Sequence, residues 1–312
     1  MTSSTESLVS APARRGSDPV PRRRRRREHG WLWFAPALLL VLAFTGYPLY
    51  FALTNSFFET KIWTPVEFVG LDNYAKALAD PRFHANLWIS AIYVFGGALL
   101  AVVIGTLLAL GLRNPGWRTS LIRAVILIPW ITSEVVVGIT WRWLLEPNFG
   151  PLGFIWEALG WGKFPPLLST PATALTVLTL VNVWRAMAFP MLMSMAALQS
   201  VPRELEEAAA VDGANAFQRV TKVILPIIMP TLAITVIVMS MHFLNMVVLI
   251  IDLTGGGPAG LTEVLGLRVY REAFEYFNVD MASVFTLFTL LINMVLAVVY
   301  FLILKKQAGG EL

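Results

Sequence analysis

The sequence predicts an all-α, polytopic membrane protein that crosses the bilayer six times. Hydrophobic residues make up 56% of the 312 residues and charged residues only 14%, against about 25% charged residues in a soluble domain. Six stretches are mostly apolar over the roughly 20 residues that a helix needs to cross the hydrocarbon core. None of them alternates polar and apolar residues as a barrel strand does. The six predicted spans are residues 31–53, 87–112, 121–145, 172–198, 229–251 and 283–304.

The segment before the first span, residues 1–30, is rich in arginine, serine and proline, a composition that predicts disorder. Six arginines form the run Arg22–Arg27. Nucleic-acid binding is one interpretation of this run, but a basic run directly before an apolar span is typical of a cytoplasmic anchor in contact with lipid. The apolar part of 31–53 is longer than a signal-peptide core and has no small-residue cleavage site, so we interpret it as a span.

The distribution of positive charge predicts the orientation. If the N-terminus is cytoplasmic, the inner segments hold 16 lysines and arginines and the outer loops hold 6. The positive-inside rule then places both termini in the cytoplasm, including the tail at 307–312. The same rule places the long loop 199–228, between the fourth and fifth spans, on the cytoplasmic side.

Several chemistries are excluded by composition and motif. The chain has no cysteine and only three histidines, which lie far apart in sequence, so the sequence predicts no disulfide, thiolate site or metal site. No His-Glu-x-x-His or Gly-x-Ser-x-Gly motif is present. No phosphate-binding loop of the form Gly-x4-Gly-Lys-Ser/Thr occurs either. We therefore predict a chain that is not an enzyme and binds no cofactor of its own.

The loop 199–228 has the pattern of two short helices joined by a turn. Pro202 suits a first helical turn, and the glutamates that follow place negative charge near the positive end of a helix. Ala208–Ala210 are strong helix formers, and Asp212-Gly213 predicts the end of the helix because glycine accepts left-handed geometry. A second helix is expected from about Ala214. The residues alone allow either a cytoplasmic docking element or a solvated amphipathic loop.

A family resemblance favours the docking element. "EAAAVDG", followed nine residues later by "VILP", resembles the EAA loop of permease subunits from binding-protein-dependent ABC importers. The longer phrase "LQSVPRELEEAAAVDGANAFQRVTKVILPIIMP" is similar to the carbohydrate branch of that family, the maltose-type permeases, although Val223 replaces the family's isoleucine. "FVGLDNYAKAL", "WRWLLEPNFGPLG" and "LTGGGPAGLTEVLGLRVYREAF" extend the resemblance over roughly residues 31–306. The residues assigned to the coupling loop are Glu207, Ala208, Ala209, Asp212, Gly213, Leu225 and Pro226.

The resemblance implies a function and a set of partners. The first helix of the loop would be a coupling helix that sits in a cleft of a cytoplasmic ATPase, with Glu207 contacting a basic residue there. ATP and magnesium would be bound by two copies of that ATPase, and transport would proceed by alternating access. The other implied partners are a second permease subunit and an extracytoplasmic binding protein. The implied location is the bacterial plasma membrane.

Polar and aromatic residues inside the spans predict a substrate site, because ionisable groups there are costly. Trp130 and Glu134 are four residues apart, which on one helix places them on one face. The same argument groups Asn182, Arg185 and Phe189 in the fourth span. Rings beside carboxylate, amide and guanidinium groups suit a sugar, and the resemblance implies that these helices hold it. The predicted substrate residues are Trp130, Glu134, Asn182, Arg185, Phe189, His242, Phe243 and Asn245.

Other interpretations stay open at this point. Glu134 and Arg185 form a structural ion pair in one of them, with the aromatic residues as ordinary packing. A facing glutamate and arginine also suit a phosphorylated polyol or a glycerophosphodiester. A different class is a proton-coupled secondary transporter with Glu134 and His242 as relay groups, although the six spans show no inverted repeat.

Overall fold

A computed structural model describes residues 31–308. The predicted disordered segment 1–30 and the last four residues lie outside the described part. The chain divides into two compact units at Pro48–Leu49. The first unit contains α1 (Trp31–Val41) and a π-helical turn, Leu42–Gly46. Most of its apolar side chains from Phe34 onward are exposed, as expected for a helix that faces lipid.

The second unit begins within α2 (Tyr47–Ser56), and a β-hairpin follows it. Strands β1 (Phe58–Lys61) and β2 (Thr64–Phe68) pair antiparallel, with the rings of Phe58 and Phe68 5.3 Å apart. This hairpin was not predicted from the sequence. Helix α3 (Asp72–Ala79) follows the hairpin and precedes the second span.

The second span consists of α4 (Pro81–Ala91), a π-helical turn (Ile92–Gly96) and α5 (Gly97–Gly111), and it runs without a break. Asp80 accepts a hydrogen bond from the backbone N–H of Arg82 at 2.9 Å and so caps the first turn.

The third predicted span, 121–145, is not one straight helix. It consists of α6 (Trp117–Ile131) and α7 (Glu134–Leu144), whose axes differ by 98°. Thr132 and Ser133 between them have extended backbones, with ψ values of 141° and 140°. A short helix, α8 (Pro151–Ala158), follows.

The fourth span is also bent. Helix α9 (Pro171–Ala186) and helix α10 (Ala188–Leu198) meet at Met187 with a 46° change of direction. Pro190 lies in the first turn of α10 and has no N–H to donate to the carbonyl four residues earlier, so the helical ladder is interrupted here.

The coupling loop and the fifth span share one helix. After α11 (Arg203–Val211), helix α12 (Ala216–Arg219) continues through a π-helical turn, Val220–Ile224, into α13 (Leu225–Asn245). The helix is therefore unbroken from Ala216 to Asn245. It begins before the first residue of the predicted span 229–251 and ends six residues before the last one.

The C-terminal part contains three more helices. These are α14 (Val248–Leu253), α15 (Leu265–Tyr270), which continues into a π-helical turn (Arg271–Glu275), and α16 (Val279–Ala308). Within residues 31–308, four helices are long and apolar enough to cross a membrane, and the two bent pairs raise the number to six. This count agrees with the six predicted spans.

The core is formed where α5 packs along α10 and α13. Gly105 of α5 lets α10 approach so closely that a Cβ there would lie 2.7 Å from the backbone nitrogen of Met191. Thr106 and Ser194 share a buried hydrogen bond of 3.0 Å across the same interface. Small residues and interhelical hydroxyl contacts are typical of helices packed in a bilayer.

Candidate functional site

The coupling loop forms a helical hairpin with a defined turn. Gly213 has a φ of +82°, the left-handed conformation that the sequence predicted at this helix end. The N–H of Ala214 donates to the carbonyl of Ala209 at 2.9 Å. The next helix starts with a capping box, in which Asn215 and Gln218 cap one another. Backbone and side-chain hydrogen bonds therefore fix the angle between the two helices.

The tip of this hairpin is exposed and partly apolar. Glu207, Ala208, Asp212 and Gly213 are exposed, and Ala209 is half-buried. Val211 exposes 88% of its surface, and Phe217 on the next helix is also exposed. The predicted coupling residues Leu225 and Pro226 lie apart from the tip, at the start of α13, where Leu225 packs against the core. The tip therefore presents the apolar side chains of Val211 and Phe217 beside exposed polar residues.

One glutamate of the hairpin is held by the membrane domain. Glu206 accepts two hydrogen bonds from the guanidinium of Arg113, which follows α5. The hydrogen bond from Arg113 lowers the pKa of the Glu206 carboxyl, although burial opposes the shift. The same pairing raises the pKa of Arg113. In the sequence, Glu206 is one of the glutamates that place negative charge at the start of the helix, and its partner Arg113 lies 93 positions away. No local pattern predicts this pair.

Inside the spans, three predicted substrate residues gather around a fourth, Trp130. The ring of Phe189 stacks on the Trp130 indole at 5.6 Å, and the His242 ring lies 5.3 Å from it. The Arg185 guanidinium carbon lies 5.9 Å from the centre of the same ring. Trp130, Phe189 and His242 are half-buried. The structure thus brings residues of α6, α9, α10 and α13 to one place.

Glu134 joins this group through Arg185. The nearest oxygen of Glu134 lies 3.6 Å from Nη2 of Arg185, an ion pair that is too long for a hydrogen bond. In the described part of the chain, the buried Nε and Nη1 of Arg185 have no hydrogen-bond partner. The predicted pairing of Glu134 with Arg185 is therefore present, but it leaves donor groups of the arginine free.

The reason given for grouping Trp130 with Glu134 is wrong. The break at Thr132–Ser133 separates them, so the four-residue spacing does not place them on one helical face. They lie near each other because both approach the Arg185 side chain, one from each half of the bent span.

Two predicted substrate residues lie behind this cluster. Asn182 is fully buried, and its Nδ2 donates to the hydroxyl of Tyr93 at 2.6 Å. Phe243 is also fully buried, with its ring 5.6 Å from that of Tyr93. Tyr93 was not identified from the sequence, where a single tyrosine in an apolar span looks like interfacial or core packing. These three residues form the wall that supports the cluster.

Asn245 lies near two residues of the cluster, Glu134 and His242, at an open depression. It is exposed, and its Nδ2 donates to the carbonyl of Met241 at 2.7 Å and to Asn293 Oδ1 at 3.3 Å. An open depression of about 340 Å³ contains Asn245 together with Glu134 and His242. This depression contains three of the eight predicted substrate residues. In the described residues, no group of three His, Asp or Glu side chains is arranged to hold a metal ion.

A bundle of apolar helices with an exposed helical hairpin and a polar, aromatic cluster inside the spans has the construction of a membrane transport subunit. The chain belongs to the family of binding-protein-dependent transport system inner membrane components, whose model matches residues 101–308. This finding confirms the family resemblance drawn from the EAA loop.

Similar proteins agree with this assignment. The chain is 29% identical to the trehalose/maltose transport system permease protein MalF of Thermococcus litoralis over 88% of this chain and 93% of that protein. It is 30% identical to the trehalose permease SugA of Mycobacterium tuberculosis, over 91% and 92%. It is 27% identical to the sn-glycerol-3-phosphate permease UgpA of Brucella abortus, over 88% and 93%.

A solved structure shows the same fold. A chain of a bacterial alginate ABC transporter, in complex with an alginate pentasaccharide-bound periplasmic protein, superposes with a TM-score of 0.74 at 21% identity, over 88% of this chain and 93% of that one. The relatives are permease subunits, a non-catalytic class of transporter component. The chain is therefore a multi-pass membrane permease subunit and not an enzyme.

Proposed function

We propose that this chain is the permease subunit of an ATP-driven importer that moves a sugar or oligosaccharide into the cytoplasm by alternating access. Its partners are a second permease subunit, two copies of a cytoplasmic ABC ATPase and an extracytoplasmic binding protein. ATP and magnesium are bound by the ATPase. Both termini and the hairpin 199–228 face the cytoplasm, in agreement with the excess of positive charge on that side.

The observation that carries the proposal is the exposed tip of the hairpin. None of the nine residues of α11 is buried. Glu207 is exposed and, among the described residues, has no hydrogen bond or ion pair, whereas its neighbour Glu206 is paired. A free carboxylate beside small alanines and the exposed Val211 suits insertion into a cleft that offers a basic residue.

The cluster around Trp130 supports a carbohydrate substrate. An indole face stacks on the apolar face of a sugar ring, and hydroxyl groups need polar partners once water is displaced. Glu134, His242 and Asn245 offer such partners at one open depression. Relatives named for trehalose and maltose transport agree with this substrate class.

A phosphorylated polyol is the second candidate substrate. The unpaired Nε and Nη1 of Arg185 are suited to phosphate oxygens, which guanidinium groups bind through two parallel hydrogen bonds. A relative named for sn-glycerol-3-phosphate transport agrees with this alternative. Glu134 disfavours it, because an anion that reaches Arg185 also approaches the carboxylate 3.6 Å away.

The first test is a mild-detergent purification of the tagged chain from its native membrane, followed by mass spectrometry. We expect a second permease and an ABC ATPase to co-purify in stoichiometric amounts. The binding protein associated with them is then screened with neutral sugars and with phosphorylated polyols, which separates the two substrate classes. A chain that purifies alone and still transports in vesicles contradicts the importer assignment and favours proton coupling through Glu134 and His242.

The second test measures coupling directly. In the reconstituted complex, Glu207→Ala removes the free carboxylate, so we expect uptake to fall while the ATPase keeps its basal activity. Glu204→Ala is the matched control, because Glu204 is exposed on the same helix. Equal uptake in the two variants contradicts a coupling role for Glu207.

A further inference from the structure

In the described residues, one ion pair connects the coupling helix α11 to the membrane domain. Nη1 of Arg113 donates to Oε2 of Glu206 at 2.8 Å, and Nη2 donates to the other carboxylate oxygen. The Glu206 side chain is 16% exposed and that of Arg113 is 33% exposed. Two parallel hydrogen bonds from a guanidinium fix direction as well as distance.

Besides this contact, α11 packs against α12 and the π-helical turn Val220–Ile224. None of its residues is buried, so apolar packing against the spans contributes little to its position. Arg203 and Arg219 are near enough to lower the pKa of Glu206, after the larger effect of Arg113. Within the described chain, neither Arg203, the first residue of α11, nor Arg219 forms an ion pair. The pairing of Glu206 with Arg113 is therefore the ion pair that, within residues 31–308, connects α11 to the end of α5.

A second helix contacts the same end of α5. The guanidinium of Arg123 donates to the backbone carbonyl of Leu112, the residue that caps α5. Arg123 belongs to α6, the helix that carries Trp130 seven residues later, about 10 Å along the axis. The end of α5 is thus held from one side by α11 and from the other by α6.

We propose that Arg113 and Glu206 are positioning residues that transmit movement of α11 to the end of α5 and, through Arg123, to α6. The inference rests on the proposed importer function, and it assigns to Glu206 a role different from that of Glu207. Glu207 faces the partner, whereas Glu206 connects the helix to its own membrane domain. When the pair is removed, α11 still docks on its partner but moves on its two turns without displacing the spans.

The test uses the complete complex with Arg113→Gln and Glu206→Gln, each made separately. We expect both variants to assemble and to hydrolyse ATP, while substrate molecules imported per ATP fall by about fivefold, the lower end of typical coupling between sites. Arg118→Gln and Glu204→Gln are the matched controls, since both residues are exposed in the same regions. Binding of the loaded binding protein is measured in every variant and is expected to be unchanged.

A cross-link distinguishes positioning from general stability. The chain has no cysteine, so Arg113→Cys with Glu206→Cys introduces a unique pair in this subunit. We expect this double variant to be uncoupled when reduced and to regain import per ATP after bridging with a short bifunctional methanethiosulfonate reagent. A bridged protein that stays uncoupled, or single Gln variants with wild-type import per ATP, overturns the inference. If the wild-type complex itself shows no substrate-stimulated ATPase, the proposed function fails instead.

Discussion

Because α5 and α10 approach closely at Gly105, the structure allows an estimate of how far a larger residue there would destabilise the protein. At Gly105, an added Cβ would lie 2.7 Å from the Met191 backbone nitrogen, 2.7 Å from Pro190 Cβ and 2.9 Å from the Met187 carbonyl oxygen. Ordinary contact begins near 3.4 Å, so α10 has to move by about 0.7 Å. Two of the three neighbours are backbone atoms, which do not yield by a change of rotamer.

Gly105→Ala is therefore expected to destabilise the protein. Overpacking of a tight core costs roughly 1–3 kcal/mol, and the better helix propensity of alanine offsets at most about 1 kcal/mol. With the full offset, the net loss is up to about 2 kcal/mol. The displaced segment also carries Phe189, so its stacking on Trp130 changes and substrate-stimulated ATPase activity is expected to fall.

Gly96→Ala is the matched control on the same span. Gly96 has helical φ and ψ angles of −63° and −47°, and no atom lies within 4 Å of a Cβ there. Alanine is expected to stabilise this position by roughly 0.5–1 kcal/mol. The assay is the midpoint of heat-induced loss of the monodisperse peak in detergent chromatography. A midpoint for Gly105→Ala equal to or above that of Gly96→Ala refutes the reasoning.

Three further predictions follow from other contacts. Gly213→Ala forces a Cβ into a φ of +82° at a cost of about 1 kcal/mol, so import per ATP falls while the melting midpoint of the spans stays the same. Tyr93→Phe leaves buried Asn182 without its hydroxyl partner and lowers the melting midpoint, whereas adding Asn182→Leu restores most of the loss. The pKa of the Glu206 carboxyl lies below its ordinary 4.5. The stabilisation by its pairing is therefore complete above that value and is lost as the pH falls through the lower folded-state pKa. Glu206 stays ionised between about pH 6 and 8, so its titration should not change import per ATP in that range.

The helical turn of the coupling loop was predictable because its signals are local. Gly213 supplies the left-handed residue at the helix end, and the alanines before it favour helix. The spans were predictable for a similar reason, since hydropathy sums over one contiguous stretch. The 98° break at Thr132–Ser133 was not predictable in this way. Both half-helices are apolar, and a sum of hydropathies contains no information about the direction of the axis.

The β-hairpin was missed for a different reason. Its turn contains Ile62 at a φ of +61°, a conformation that β-branched residues rarely adopt. Turn rules search for glycine, asparagine, aspartate and proline at such positions, so this turn has no signal in sequence. Phe58 and Phe68 pair across the strands and stabilise the hairpin through a contact that only the fold brings together.

The remaining contacts of the candidate site were not predicted because they join residues that are far apart in the sequence. Trp130 and Glu134 were grouped by a helical spacing that the break removes, yet both meet Arg185 of another span. The pairing of Tyr93 with Asn182 joins residues 89 positions apart. Polar residues inside spans stand out in a sequence because their burial in the bilayer costs free energy. The sequence gives no rule for which of them face each other.

The break in the third span allows the two halves of the candidate site to move separately. Trp130 lies in the last turn of α6, on the same unbroken helix as Arg123, whereas Glu134 begins α7 beyond the two extended residues. A displacement of α6 that arrives through Arg123 therefore moves the indole, and the extended residues Thr132 and Ser133 can absorb it by rotating about their backbone bonds. Because α7 packs against α14, Glu134 stays with that part of the bundle. If the chain works as we propose, we expect the distance between the Trp130 indole and the Glu134 carboxylate to change with the position of the coupling helix. Such a change would give a substrate different contacts in the two states, which is what allows it to favour one of them.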